Sequence, residues 1–216
     1  MQESSAEIKI PTIARKNSLV SCWIPIMLGG FDKSLDKKSK LYIGILVRLI
    51  DKSFSEYLSV KEYVDEEIKT GDKFAYRFVI INHLENCVNA INRMIGIFDI
   101  IVNGLKVKDA KNNYRFIKKD IKISQFLREE TVAKINRFPV SGIRNRIEHI
   151  NEDIFSDKFV KNLGIDVDDK YKNICINNEC ISFIELAELI ENYHNFVLEI
   201  FSNLPNRMVG GVYFRE

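Results

Sequence analysis

His149 stands four residues after Asn145 and five after Arg144, in the stretch Ile143-Arg144-Asn145-Arg146-Ile147-Glu148-His149. These residue types could together cut an RNA phosphodiester without a metal. In that reaction the 2′-hydroxyl must lose a proton and attack phosphorus, and the 5′-oxygen must gain a proton as it leaves. Histidine titrates near neutral pH and can serve as the base or the acid. The phosphorane carries more negative charge than the starting diester, so a guanidinium that grips two of its oxygens lowers the barrier. The Asn145 amide can hydrogen-bond a phosphate oxygen or orient the imidazole.

On a helix, Asn145 and His149 would lie about 40° apart, and Arg144 and His149 about 140° apart. Either Arg144 curls round the helix to reach the same phosphate, or two copies of the motif face each other across a shared cleft. Pro139, Ser141 and Gly142 place Arg144 within the first turn, where free backbone N–H groups favour phosphate. A plainer use of the same residues is an ion pair of Arg144 with Glu148 or Glu152 and a capping role for His149.

The order Arg144, Asn145 and His149, with four residues between Arg144 and His149, resembles the signature of the HEPN superfamily. The continuation Ile147-Glu148-His149-Ile150-Asn151-Glu152 is similar to members that carry an aspartate at the position of Asn151. The resemblance implies a helical bundle, a homodimer, and a metal-independent endoribonuclease with Arg144, Asn145 and His149 as catalytic residues. It also implies a toxin–antitoxin or antiviral defence setting, with an antitoxin or a nucleotidyltransferase as partner. The other reading of the same ancestry is a non-catalytic module that binds RNA, a nucleotide or a protein. No cofactor and no metal are expected.

Between Lys106 and Arg137 there are ten basic and four acidic residues, a local charge of +6 in a chain of +2. Tyr114 and Phe116 interleave with them. Phosphate contacts and base stacking would suit RNA here, and Lys118, Lys119, Lys122 and Arg146 are the expected substrate-binding residues. An ordinary solvated face would show the same charges. His83 and His194 read as boundary histidines with satisfied hydrogen bonds. Asp166, Asp168 and Asp169 fall short of the ligand count of a calcium loop. No P-loop, dinucleotide turn or Gly-x-Ser-x-Gly elbow is present.

The elements that must position the motif read as mostly helical. With 10 Gly and 4 Pro in 216 residues, 46% apolar and 29% charged, the chain has few breakers and a globular composition. One HEPN-like helical domain is expected over 38–204, with a flanking segment 1–37 and a tail 205–216. Leu41, Ile45, Leu49, Phe54 and Leu58 predict a helix from about Lys38, which Val60 to Lys69 either continue or follow as a second helix ended by Gly71. Phe74, Phe78, Ile81, Leu84, Val88, Ile91, Ile95, Phe98 and Val102 predict one long amphipathic helix capped by Asp72.

Residues 105–114 read as a break, Ile123 to Phe138 and then about Ser141 to Phe155 as helices, and 156–172 as turns. Asn173 to Ser182 predicts a small β-hairpin around Asn177-Asn178. Ser182 with Glu185 predicts a capping box for a final helix over Phe183 to Phe201. Cys175 and Cys180 would face each other in that hairpin; two reduced thiols are preferred, because a cytoplasmic location is expected. The apolar run Leu19 to Leu28 is too short to span a membrane and contains Pro25.

Overall fold

A computed structural model describes residues 10–13, 19, 24, 37–103, 105–108, 114–117, 165–168, 170–176 and 179–203. Among these the chain is mostly helical. Helix α1 covers Lys37–Thr70, α2 Lys73–Asn103 and α3 Phe183–Asn203. The strands are β1 Leu105–Lys108, β2 Tyr114–Ile117, β3 Ile165–Val167, β4 Asn173–Ile176 and β5 Glu179–Ser182. None of the described helices is long and apolar enough to cross a membrane.

The sequence sets the helix ends. Gly71 adopts φ +72° and its N–H donates to the Glu67 carbonyl at 2.8 Å, a left-handed stop that suits glycine. The Asp72 carboxylate accepts the Ala75 N–H at 3.0 Å, satisfying an otherwise orphaned donor of α2. At α3 the capping box is reciprocal. Ser182 Oγ accepts the Glu185 N–H at 3.1 Å, and Glu185 Oε2 accepts the Ser182 N–H at 2.9 Å. Ser182→Ala removes one half of it and should cost about 1 kcal/mol, measured by urea denaturation. An unchanged midpoint would mean that α3 holds its first turn by packing alone.

The residues form two compact units. One comprises 1–14, 52–92 and 138–190; the other comprises 15–51, 93–137 and 191–216. In the first, Glu56 meets His83 and Tyr63 meets Tyr76, so the α1 and α2 segments run antiparallel on either side of the Gly71 turn. Its sheet has the order β3-β4-β5, all antiparallel. Val167, Ile174 and Ile181 are register partners and all are buried, which makes one face of the sheet apolar. Tyr57 is also buried; its hydroxyl donates to the Pro11 carbonyl at 2.8 Å, and its ring packs edge-on to Phe183. In the second unit, buried Ile43, Leu46, Ile50, Met94 and Ile200 accompany a ring cluster. Phe98 there lies edge-on to Tyr193 and Phe196, with centroids at 5.8 and 5.0 Å.

Several expectations need correction. The first helix needs none: of the two readings of Val60 to Lys69, they continue it, in one element of 34 residues. The helical pattern breaks after Asn103 as expected, but residues 105–108 and 114–117 are strands paired antiparallel, which the sequence reading does not include. Residues 165–167 form a third strand on the expected hairpin. Phe74 and Phe78 are 93% and 66% exposed, and Leu41 and Ile184 are also exposed. The buried side of α2 keeps Leu84, Val88, Ile91 and Phe98 of the expected stripe and adds Ile80, Cys87, Met94 and Ile101. Steps of three and four residues drift: Phe74 lies about 80° and Phe78 about 120° round the helix from Leu84.

Cys175 and Cys180 are joined as a disulfide, with Cα atoms 4.1 Å apart. The Phe183 N–H donates to the Lys172 carbonyl, so alternation along the ladder makes 175/180 a closely spaced, non-hydrogen-bonded pair. Compartment reasoning, which favoured reduced thiols, does not see that register.

Candidate functional site

Arg144, Asn145, Arg146 and His149, and also Lys118, Lys119 and Lys122, lie outside the described residues, as do the helices expected over 123–138 and 141–155. Of the basic segment, Lys106, Lys108 and Arg115 fall on β1 and β2. The described residues hold two further clusters of titratable groups, both in the first unit.

The first cluster is built on α1 and α2. His83 Nδ1 lies 2.6 Å from Glu56 Oε2, and the imidazole stacks on Tyr63 at 5.5 Å with an interplanar angle of 14°. A proton on Nδ1 lets the ring donate to the Glu56 carboxylate. The carboxylate and the stacked ring hold the imidazole in one orientation, the arrangement a proton-transfer group needs. His83 is the boundary histidine with a hydrogen bond that the sequence suggests. Its partner Glu56, 27 residues earlier, carries no sequence signal of the pairing.

One turn along α2, Cys87 is buried and its thiol donates to the Ser53 carbonyl at 3.5 Å. Burial, and secondly the charge of Glu56, push that thiol well above its usual range. It is therefore a packing group and not a nucleophile at neutral pH.

The second cluster joins the helices to the sheet. Arg77 Nη2 lies 2.9 Å from Glu67 Oε1, and the Tyr171 hydroxyl donates to the same oxygen at 2.7 Å. Arg77 also donates to the Val167 carbonyl at 3.1 Å and sits over the Tyr171 ring at 5.6 Å. The Glu67 side chain is 0% exposed, and its Oε2 has no hydrogen-bond partner among the described residues. Tyr171 takes φ +51°, a left-handed conformation that side chains with a Cβ adopt only when their surroundings impose it. Here the carboxylate and the guanidinium hold the ring and the hydroxyl.

Asp168 makes the turn that delivers Tyr171. Its carboxylate accepts the Lys172 N–H at 2.7 Å, the Asn173 N–H at 3.2 Å and the Asn173 side-chain amide at 2.8 Å. Partial burial opposes its charge, but these bonds and one from the Lys170 N–H outweigh it and hold its pKa below the ordinary 3.8. A lowered folded pKa contributes stability above the unfolded pKa, and this is lost as pH falls through the folded value. The Lys172 and Asn173 amides should thus stay protected through the ordinary aspartate range and lose protection only at lower pH. NMR titration of those amides checks this; loss of protection above pH 3.8 would contradict it.

In the second unit, Tyr193 is buried, and burial followed by the charge of Asp99 keeps its phenol neutral well above the usual range. His194, beside it on α3, is buried. Among the described residues, no group of three or more His, Cys, Asp or Glu is placed to hold a metal ion. Comparison of the chain with models of known families, with curated proteins and with solved structures finds no match.

Proposed function

We propose that this chain is a HEPN-like, metal-independent endoribonuclease that cuts RNA by attack of the 2′-hydroxyl on the adjacent phosphate. The observation that carries the reading is the sequence Arg144-Asn145 with His149 four residues beyond Asn145. Its support is the chemistry of the three side chains and a mostly helical chain with two helices of more than thirty residues. In this reading His149 moves the proton, Arg144 neutralises the phosphorane, and Asn145 binds phosphate or orients the ring. Lys118, Lys119, Lys122 and Arg146 hold the flanking phosphates. A homodimer brings two motifs to one cleft, which answers the angular separation of Arg144 and His149. A toxin or antiviral defence role, with an antitoxin or nucleotidyltransferase as partner, belongs to the same proposal.

The test is a labelled RNA incubated with the protein in excess EDTA beside the same sequence built from 2′-O-methyl nucleotides. Cleavage of the RNA alone is expected. Cleavage of both strands would exclude 2′-hydroxyl attack. Binding without cleavage of either would leave the non-catalytic module as the function.

A further inference from the structure

The β1–β2 ribbon has two chemically different faces. Residues directly opposite in an antiparallel pair share a face, and neighbours along a strand alternate. The register pairs Leu105 with Ile117, Lys106 with Phe116, Val107 with Arg115 and Lys108 with Tyr114. One face therefore carries the positions of Leu105, Val107, Arg115 and Ile117. The other carries Lys106, Lys108, Tyr114 and Phe116. On the second face each lysine position is directly opposite an aromatic one.

We propose that this ribbon binds single-stranded RNA, its register bringing Lys106, Lys108, Tyr114 and Phe116 to one face that takes phosphates and unpaired bases. The two lysine positions lie about 7 Å apart along one strand. Lysine positions opposite aromatic positions combine the two residue types that sequence-tolerant single-strand binders use, charge for the backbone and π-faces for bases. Bases in a duplex are already stacked on each other and do not offer those faces, so the ribbon discriminates for unpaired strands. The ribbon begins the basic segment 106–137 and extends binding beyond the lysines assigned to substrate above. The inference rests on RNA being the ligand, as in the ribonuclease reading, and not on cleavage.

The full chain is titrated with a fluorescent 2′-O-methyl single strand, which cannot be cut by 2′-attack, over a range of salt. Lys106→Gln with Lys108→Gln should weaken binding and make the log–log salt slope shallower by about 1.4, since each phosphate of a single strand that a lysine neutralises adds about 0.7 to the slope. Tyr114→Leu with Phe116→Leu should weaken it at least about tenfold with the slope unchanged. Far-ultraviolet circular dichroism shows whether each variant folds as the parent does. Folded variants of both kinds that bind as the parent does would overturn the inference, and ribonuclease activity persisting in them would leave the ribonuclease reading standing. Binding that depends on these four residues in a protein that never cuts RNA would establish the ribbon and remove the ribonuclease reading.

Discussion

Replacing His149 with alanine should lower the rate of RNA cleavage by about 10²–10⁴-fold, the range attributable to a positioned acid or base. Two proton transfers are needed, one from the 2′-hydroxyl and one to the departing 5′-oxygen, and in the motif only His149 titrates near neutral pH. Arg144→Lys keeps a charge but loses the planar fork, so it should also be strongly impaired. Helix content and oligomeric state are expected to stay as in the parent, because the reading gives His149 a chemical role. Circular dichroism and light scattering check that alongside the rate. Undiminished cleavage in a folded His149→Ala protein would remove His149 from the mechanism.

Arg77→Ala should destabilise the first unit by about 3–5 kcal/mol, the usual cost of leaving one member of a buried ion pair without its partner. Glu67 would remain with neither oxygen neutralised, its Oε2 already lacking a hydrogen-bond partner among the described residues and its Oε1 bound to Tyr171 alone. The Val167 carbonyl would lose its Arg77 donor as well. Tyr171→Phe removes the hydrogen bond to the Glu67 carboxylate and should cost about 1.5–3 kcal/mol. Replacing the pair together, Glu67→Leu with Arg77→Met, should recover much of the loss, since apolar residues of similar volume often replace a buried pair without penalty. Urea denaturation measures all three. An Arg77→Ala midpoint equal to that of the parent would mean that Glu67 gives up its charge or reaches water at little cost.

Local rules were legible where the chain speaks to its near neighbours. Asp72, Gly71 and the Ser182/Glu185 box make the bonds their types and spacings predict. The hairpin of β4 and β5 lies where Asn173 to Ser182 places it. The stripe on α2 was legible only in part. A list of apolar residues at helical steps cannot tell which of them other elements will cover, and Phe74 and Phe78 are left exposed.

The β1–β2 ribbon was hidden because 105–114 read only as a break in the helical pattern and Lys106, Lys108 and Arg115 as part of a basic segment, although Leu-Lys-Val-Lys alternates with the period of a strand. Pairings between distant residues left no trace at all. Glu67 meets Tyr171 across 104 positions, and a helical glutamate with an acidic neighbour reads as a surface residue. The proposed catalytic residues are the reverse case, legible in the sequence and outside the described structure.

The most direct measurement of the central claim is the chemistry of the RNA ends made in excess EDTA, with parent and His149→Ala proteins side by side. Attack by the 2′-hydroxyl predicts 2′,3′-cyclic phosphate ends from the parent and none from the variant. Ends carrying a 5′-phosphate and a 3′-hydroxyl, or intact RNA with a folded, dimeric parent protein, would contradict it.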